Sequence, residues 1–164
     1  MSAVNKVIKI AAAEIGYPEK ATNSNLDSPT QNAGYNNYTK YARDIDAIPH
    51  FYNGPKQGYP WCTVSLAWWF IKAFDVAEAK RLLLLPLGAG VYYLKRYFRD
   101  AGQFGTTPKV GALVFFGDEH TGIVTAVEGN EFRTIEGNTS PAKGVVANGG
   151  SVCAKSYSSV KSSW

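Results

Sequence analysis

The chain has 164 residues, 45% of them hydrophobic and 18% charged, with a net charge of +4. That balance fits one soluble globular domain, residues 1–164, long enough for a proper core and with no tail or linker left over for a second module. Lys and Arg are dispersed rather than clustered, which argues against a nucleic-acid-binding protein.

Val4, Val7, Ile8, Ala11, Ala12 and Ile15 recur at helical spacing, so residues 3–16 read as an amphipathic helix and not as the unbroken apolar core of a signal peptide. Residues 17–60 are rich in Asn, Gly, Pro and Tyr and predict a long arm, with one short helix around Tyr38 to Ile45. His50 stands among Pro49, Asn53-Gly54 and Pro55 and reads as a surface loop histidine. Leu82 to Leu85 is short and stops at Pro86, so no segment spans a bilayer. Gly88 to Asp100 predicts a further helix, with Val91, Leu94, Lys95 and Phe98 at helical spacing. From Ala112 onwards the pattern is strand-like, and Cys153 alternates as a buried strand thiol. The expected fold class is therefore α+β, helices first and then an antiparallel sheet.

Chemistry concentrates at Cys62. Pro60 suits a helix's first turn and pushes Tyr59 into an extended conformation, so Thr63 to Ile71 predict a helix with Cys62 at its start. Apolar residues run almost all round it, the pattern of a buried element. Unpaired N–H groups and the positive end of the helix dipole there favour a thiolate over a thiol. A lone cysteine is more often a small core hydrophobe, so its partners decide the matter.

His120 heads Thr121 to Val127, rich in β-branched residues, and Phe132 to Asn138 reads as the returning strand. Register then controls which way His120 points. A two-residue loop at Gly129-Asn130 pairs Glu128 with Glu131 and turns His120 away from Glu136. A three-residue loop, Glu128 to Asn130 with positive φ at Asn130, puts Gly122 opposite Glu136 and His120 opposite Asn138. A bulge has the same effect, and Gly122 leaves room for Glu136 to reach the ring.

Taken together, Pro60-Trp61-Cys62 opening a helix, His120-Thr121-Gly122-Ile123-Val124 and Thr134-Ile135-Glu136-Gly137-Asn138-Thr139 resemble the CHAP domain, a papain-like branch of the NlpC/P60 superfamily. The similarity extends to Asn37-Tyr38-Thr39-Lys40-Tyr41 and Pro108-Lys109-Val110-Gly111, which look like lysins of phages and prophages of Gram-positive bacteria. The resemblance implies a papain-like fold and hydrolysis of peptidoglycan, as an N-acetylmuramoyl-L-alanine amidase or a peptide endopeptidase. Cys62, His120, Glu136 and Asn138 are the implied catalytic set, with Glu136 ranked above Asn138 as the group that orients the ring. A housekeeping or antibacterial effector amidase of the same fold is the alternative, and an inactive wall-binding module the remote one.

In that mechanism the oxyanion binds the Cys62 N–H and one side-chain donor, for which Tyr59 and Gln57 compete. Trp61, Tyr41 and Tyr52 are candidate flat faces for a glycopeptide. No cofactor is expected. Some relatives bind calcium before the nucleophile, but calcium takes six to eight oxygens and Asp44 and Asp46 supply two carboxylates. The expected partner is bacterial peptidoglycan, met by a monomer whose positive charge favours an anionic wall. Without a signal peptide, the enzyme is expected in the producing cell's cytoplasm until release. Two departures from the family stand out: Ala112 replaces a common aspartate, and the chain stops at Trp164, so Val160 to Trp164 is the candidate for a last edge strand.

Overall fold

The computed structural model describes residues 2–85, 88–142 and 148–158. Among these the helices come first: α1 Ala3–Ala13, α2 Lys40–Asp46, α3 Cys62–Ala73, α4 Val76–Leu83 and α5 Val91–Asp100. An antiparallel meander follows in the order β1 Leu113–Phe116, β2 His120–Glu128, β3 Glu131–Thr139 and β4 Ser151–Ser158. The fold is the α+β arrangement that the sequence predicts. The proposed edge strand at Val160 to Trp164 lies outside the described residues.

α3 is the axis of the molecule. Every residue from Cys62 to Phe70 is buried, because α1, α2 and α4 cover some of its faces and β2 and β3 another. Its N-cap, Trp61, supplies no side-chain hydrogen bond, so the N–H groups of the first turn are left without a cap. α1 ends at Ala13, short of the predicted Gly16, because Gly16 takes φ +93° and hands the chain to β4 through Gly16 N–H to Val152 O at 2.8 Å. α5 likewise starts at Val91, with Gly90 as its cap. α4 was not anticipated. Its local signal is an Asp75 N-cap accepting from Glu78 N–H at 2.8 Å, with a left-handed Leu84 ending the helix.

The arm between α1 and α3 is pinned by two adjacent, fully buried charges. Lys20 Nζ donates to the carbonyls of Ser28 and Gln31 at 2.6 and 2.9 Å. Glu19 accepts from the N–H groups of Asn37, Gly149 and Gly150 and from the Trp61 indole, at 3.2, 2.8, 3.1 and 3.1 Å. A carboxylate loses its hydration on burial, and charge-assisted hydrogen bonds of this kind offset that loss. One side chain thus ties together the arm, the entry to β4 and the residue before Cys62.

The β2–β3 hairpin combines the two-residue loop with a bulge, the expected alternative that turns His120 toward Glu136. Glu128 pairs with Glu131, so the loop is the two-residue Gly129-Asn130, and Gly129 takes the positive φ, +61°. The wrong register is avoided by a bulge: Val124 pairs with Thr134 but Ala126 with Arg133, leaving Thr125 extra. Ile123 then pairs with Ile135, and continuing that register sets Gly122 opposite Glu136. A second bulge in β3 separates the pairs Glu136–Cys153 and Thr139–Ser151, with Asn138 in the left-handed region at φ +57°. At Gly137, also in this bulge, a Cβ would collide with Ser65 Oγ of α3, so the bare backbone lets sheet and helix touch.

Stability should divide accordingly. Trp69→Ala empties a fully buried site on α3 and is expected to cost about 3–5 kcal/mol. Asp75→Ala removes only a cap, at about 1 kcal/mol. Urea midpoints at constant m check the ranking; comparable losses would contradict a core centred on α3.

Candidate active site

Cys62 begins α3 and is 5% exposed, packed against Val91 and Leu94 of α5 and Phe115 of β1. Its sulfur lies 4.0 Å from the Glu119 carbonyl oxygen, directly before His120. His120, the first residue of β2, is buried, and its Nε2 stands 2.8 Å from Glu136 Oε2. The second ring nitrogen, Nδ1, is buried without a regular hydrogen bond, while the Cys62 thiol is close enough to act on the ring's protonation. Burial disfavours the charged ring, but Cys62 and Glu136 outweigh it and raise the imidazole from its ordinary 6.5 to about 9. The ring therefore holds its proton through neutral pH.

Glu136 is fully buried and hydrogen-bonded through both oxygens. Oε2 takes the His120 contact, while Oε1 accepts from Thr134 Oγ1 at 2.5 Å and from the Tyr157 hydroxyl at 2.9 Å. Burial first, and then the Glu136 charge, push the Tyr157 hydroxyl far above its usual range, so it stays a neutral donor. Phe116 stacks on His120 with centroids 5.8 Å apart, and Tyr157 packs on Phe116 at 4.8 Å. These rings close the ion pair off from water. Gly122 makes room for it: a Cβ there would lie 2.5 Å from Glu136 Cγ.

The sequence-predicted residues divide. Cys62, His120 and Glu136 converge. Asn138 does not reach the ring: it sits in the second bulge, buried, with its Oδ1 unpartnered and its backbone close against Gly150. Gln57 is turned toward the arm, its Nε2 donating to Asn23 Oδ1 at 3.0 Å and its Oε1 accepting from Thr39 N–H at 2.9 Å. Tyr59 is 61% exposed. The three aromatics expected to face a substrate are core residues instead. Tyr41 and Trp61 are fully buried with centroids 5.5 Å apart, and Tyr52 stacks edge-on against Phe51.

Tyr52 nevertheless bears on the site. Its hydroxyl is buried with no hydrogen-bond partner, and burial, together with the Cys62 charge, raises it well above the usual tyrosine value. A neutral O–H donor thus lies within electrostatic reach of the sulfur. Thr134 and Tyr157 were not anticipated. Thr134 was readable as the residue two before Glu136 on the same strand face, whereas Tyr157 requires the β3–β4 pairing to be known.

Asp44 and Asp46 serve the fold. Asp44 accepts from Arg43 and from the Trp68 indole, each at 2.8 Å, and Asp46 accepts from the backbone N–H groups of Lys56 and Gln57 at 2.8 and 3.1 Å. Among the described residues no group of three or more His, Cys, Asp or Glu is arranged to hold a metal, and no helix is long and apolar enough to cross a membrane. A cavity of about 580 Å³ between α1, α3, α4 and the α5–β1 connection is apolar and contains none of the Cys62, His120 and Glu136 groups. Cys153 is buried and, like Cys62, forms no disulfide.

Residues 54–138 match the family model of the CHAP domain, a span that includes Cys62, His120, Glu136 and Asn138. No curated protein and no solved structure matches the chain.

The coupling of His120 to its two neighbours is measurable directly. Ring titration by NMR is expected to give a value near 9 in the wild type and a lower one in Glu136→Gln, where a charge that raises it is gone. An unmoved titration would mean that Glu136 does not control the ring.

Proposed function

The chain belongs to the CHAP domain family, whose model spans just over half of it, and we propose that it cleaves an amide bond of peptidoglycan with Cys62 as nucleophile. The observation that carries this reading is the buried imidazole between a thiol at a helix start and a saturated carboxylate. That arrangement suits acyl transfer to sulfur.

In this mechanism the Cys62 thiolate attacks the amide carbonyl, forming a C–S bond and a tetrahedral oxyanion. The Cys62 N–H, uncapped at the start of α3, is one donor to that oxyanion, and the Tyr52 hydroxyl is the second, in place of Tyr59 or Gln57. The C–N bond breaks as His120 transfers its proton to the departing amine. His120, now neutral, takes a proton from water as the water oxygen adds to the thioester; the C–S bond then breaks, releasing the acid and restoring the Cys62 thiolate beside the protonated His120. Glu136 stabilises the imidazolium and fixes which nitrogen faces the sulfur. Asn138 is left as a positioning residue of the bulge. The enzyme acts as an amidase or endopeptidase in a lytic role of the kind seen in lysins, and the charge of +4 supports approach to an anionic wall.

Three measurements test this. Turbidity of purified cell walls should fall with wild type and Cys153→Ser but stay flat with Cys62→Ala; equal clearing by Cys62→Ala would overturn the assignment. The pH profile of kcat/KM should lose activity as pH rises through about 9, where the His120 proton that the amine needs is lost. Tyr52→Phe should lower kcat by about 10²-fold with little change in KM, as removal of one oxyanion donor does.

A further inference from the structure

Tyr157 stands on β4, beyond the residues 54–138 that match the family model, yet it bonds directly to the carboxylate of the site. Its backbone pairs with Phe132 on β3, and strand alternation puts Phe132, Thr134 and Glu136 on one face of the sheet with it. From there the phenol reaches along the sheet, and its hydroxyl donates to Glu136 Oε1 at 2.9 Å.

A glutamate does not by itself present one oxygen to a partner. The last torsion of its side chain is broad and roughly two-fold, so the plane of the carboxylate turns unless hydrogen bonds hold it. Thr134 Oγ1 donates to Oε1 from Glu136's own strand at 2.5 Å, and Tyr157 donates to the same oxygen from the neighbouring strand. Two donors arriving from different strands fix that plane and leave Oε2 for His120 Nε2. The phenol is itself held. Its ring stacks on Phe132 with centroids 5.4 Å apart and packs on Phe116 at 4.8 Å, and Phe116 in turn stacks on the imidazole. One side chain thus aims the carboxylate through its oxygen and supports the ring over His120 through its face.

We infer that Tyr157 is a positioning residue for the proposed reaction, acting through Glu136 and Phe116 to hold His120 with Nε2 on the carboxylate and Nδ1 left to serve Cys62. The inference rests on the hydrolase reading above and makes β4 part of the site. Without the hydroxyl, Oε1 loses a donor in a buried place, and water entering to replace it loosens the pair.

Tyr157→Phe tests this, since it keeps the ring and removes only the hydroxyl. On a soluble muropeptide its kcat is expected to fall about tenfold with KM unchanged, because a group that aims the imidazole makes no contact with substrate. Proton NMR reports the pair without turnover. The low-field signal of His120 Nε2–H is expected to be sharp at neutral pH in the wild type and broadened by exchange with water in Tyr157→Phe. Thermal midpoints confirm that the variant folds. An unchanged kcat, a rise in KM alone, a signal as sharp in the variant as in the wild type, or a wild type without that signal would overturn the inference. If the signal broadens as expected while wild-type protein cleaves nothing, the positioning role stands and the hydrolase reading alone fails.

Discussion

A carboxylate held at zero exposure needs hydrogen bonds to replace the water it loses, and Glu136 obtains three, from His120, Thr134 and Tyr157. Meeting that requirement draws on three neighbouring strands. His120 comes from β2, Thr134 from Glu136's own strand and Tyr157 from β4, so the order β2-β3-β4 is also the order in which the donors surround the carboxylate. Gly122 is then required, since any side chain there would displace Glu136. The ring stack of Phe116, His120 and Tyr157 excludes water, which strengthens each of these bonds.

Cys62 is fixed by a different device. α3 is a buried rod, and Cys62 inherits its rigidity. The helix meets the sheet where Gly137 lies against Ser65 and Trp61, and Glu19 holds Trp61 from the other side. Sheet, helix and arm thus locate sulfur and imidazole relative to one another, consistent with sites whose geometry is set by supporting hydrogen bonds rather than by flexible loops.

Much of this was legible from local pattern. Helical spacing located α1, α3 and α5, and strand alternation located the His120 and Glu136 segments. The register was readable only as a condition, because Gly129-Asn130 and Glu128-Gly129-Asn130 are equally good loops on paper, and a bulge at Thr125 has no residue signature. α4 announces itself in Asp75 and Glu78, but it is short and polar and its end is masked by a leucine run. Aromatic residues in the Asn- and Gly-rich arm were misplaced for a physical reason: composition does not separate a ring offered to solvent from one packed on a helix. Trp61 and Tyr41 are buried because Glu19 and Glu14 supply acceptors for their polar atoms from distant sequence positions. Gln57 illustrates the same limit, being near Cys62 along the chain but bonded to Asn23 and Thr39.

The covalent intermediate is the most direct test of the central claim. Mass spectrometry of wild-type protein quenched during turnover of a soluble muropeptide is expected to show an acyl adduct on the peptide containing Cys62, with the mass of the acyl half of the cleaved amide. A muramoyl adduct would mark the sugar-proximal bond. Product formation with no adduct on Cys62, or with an adduct on Cys153, would contradict the account.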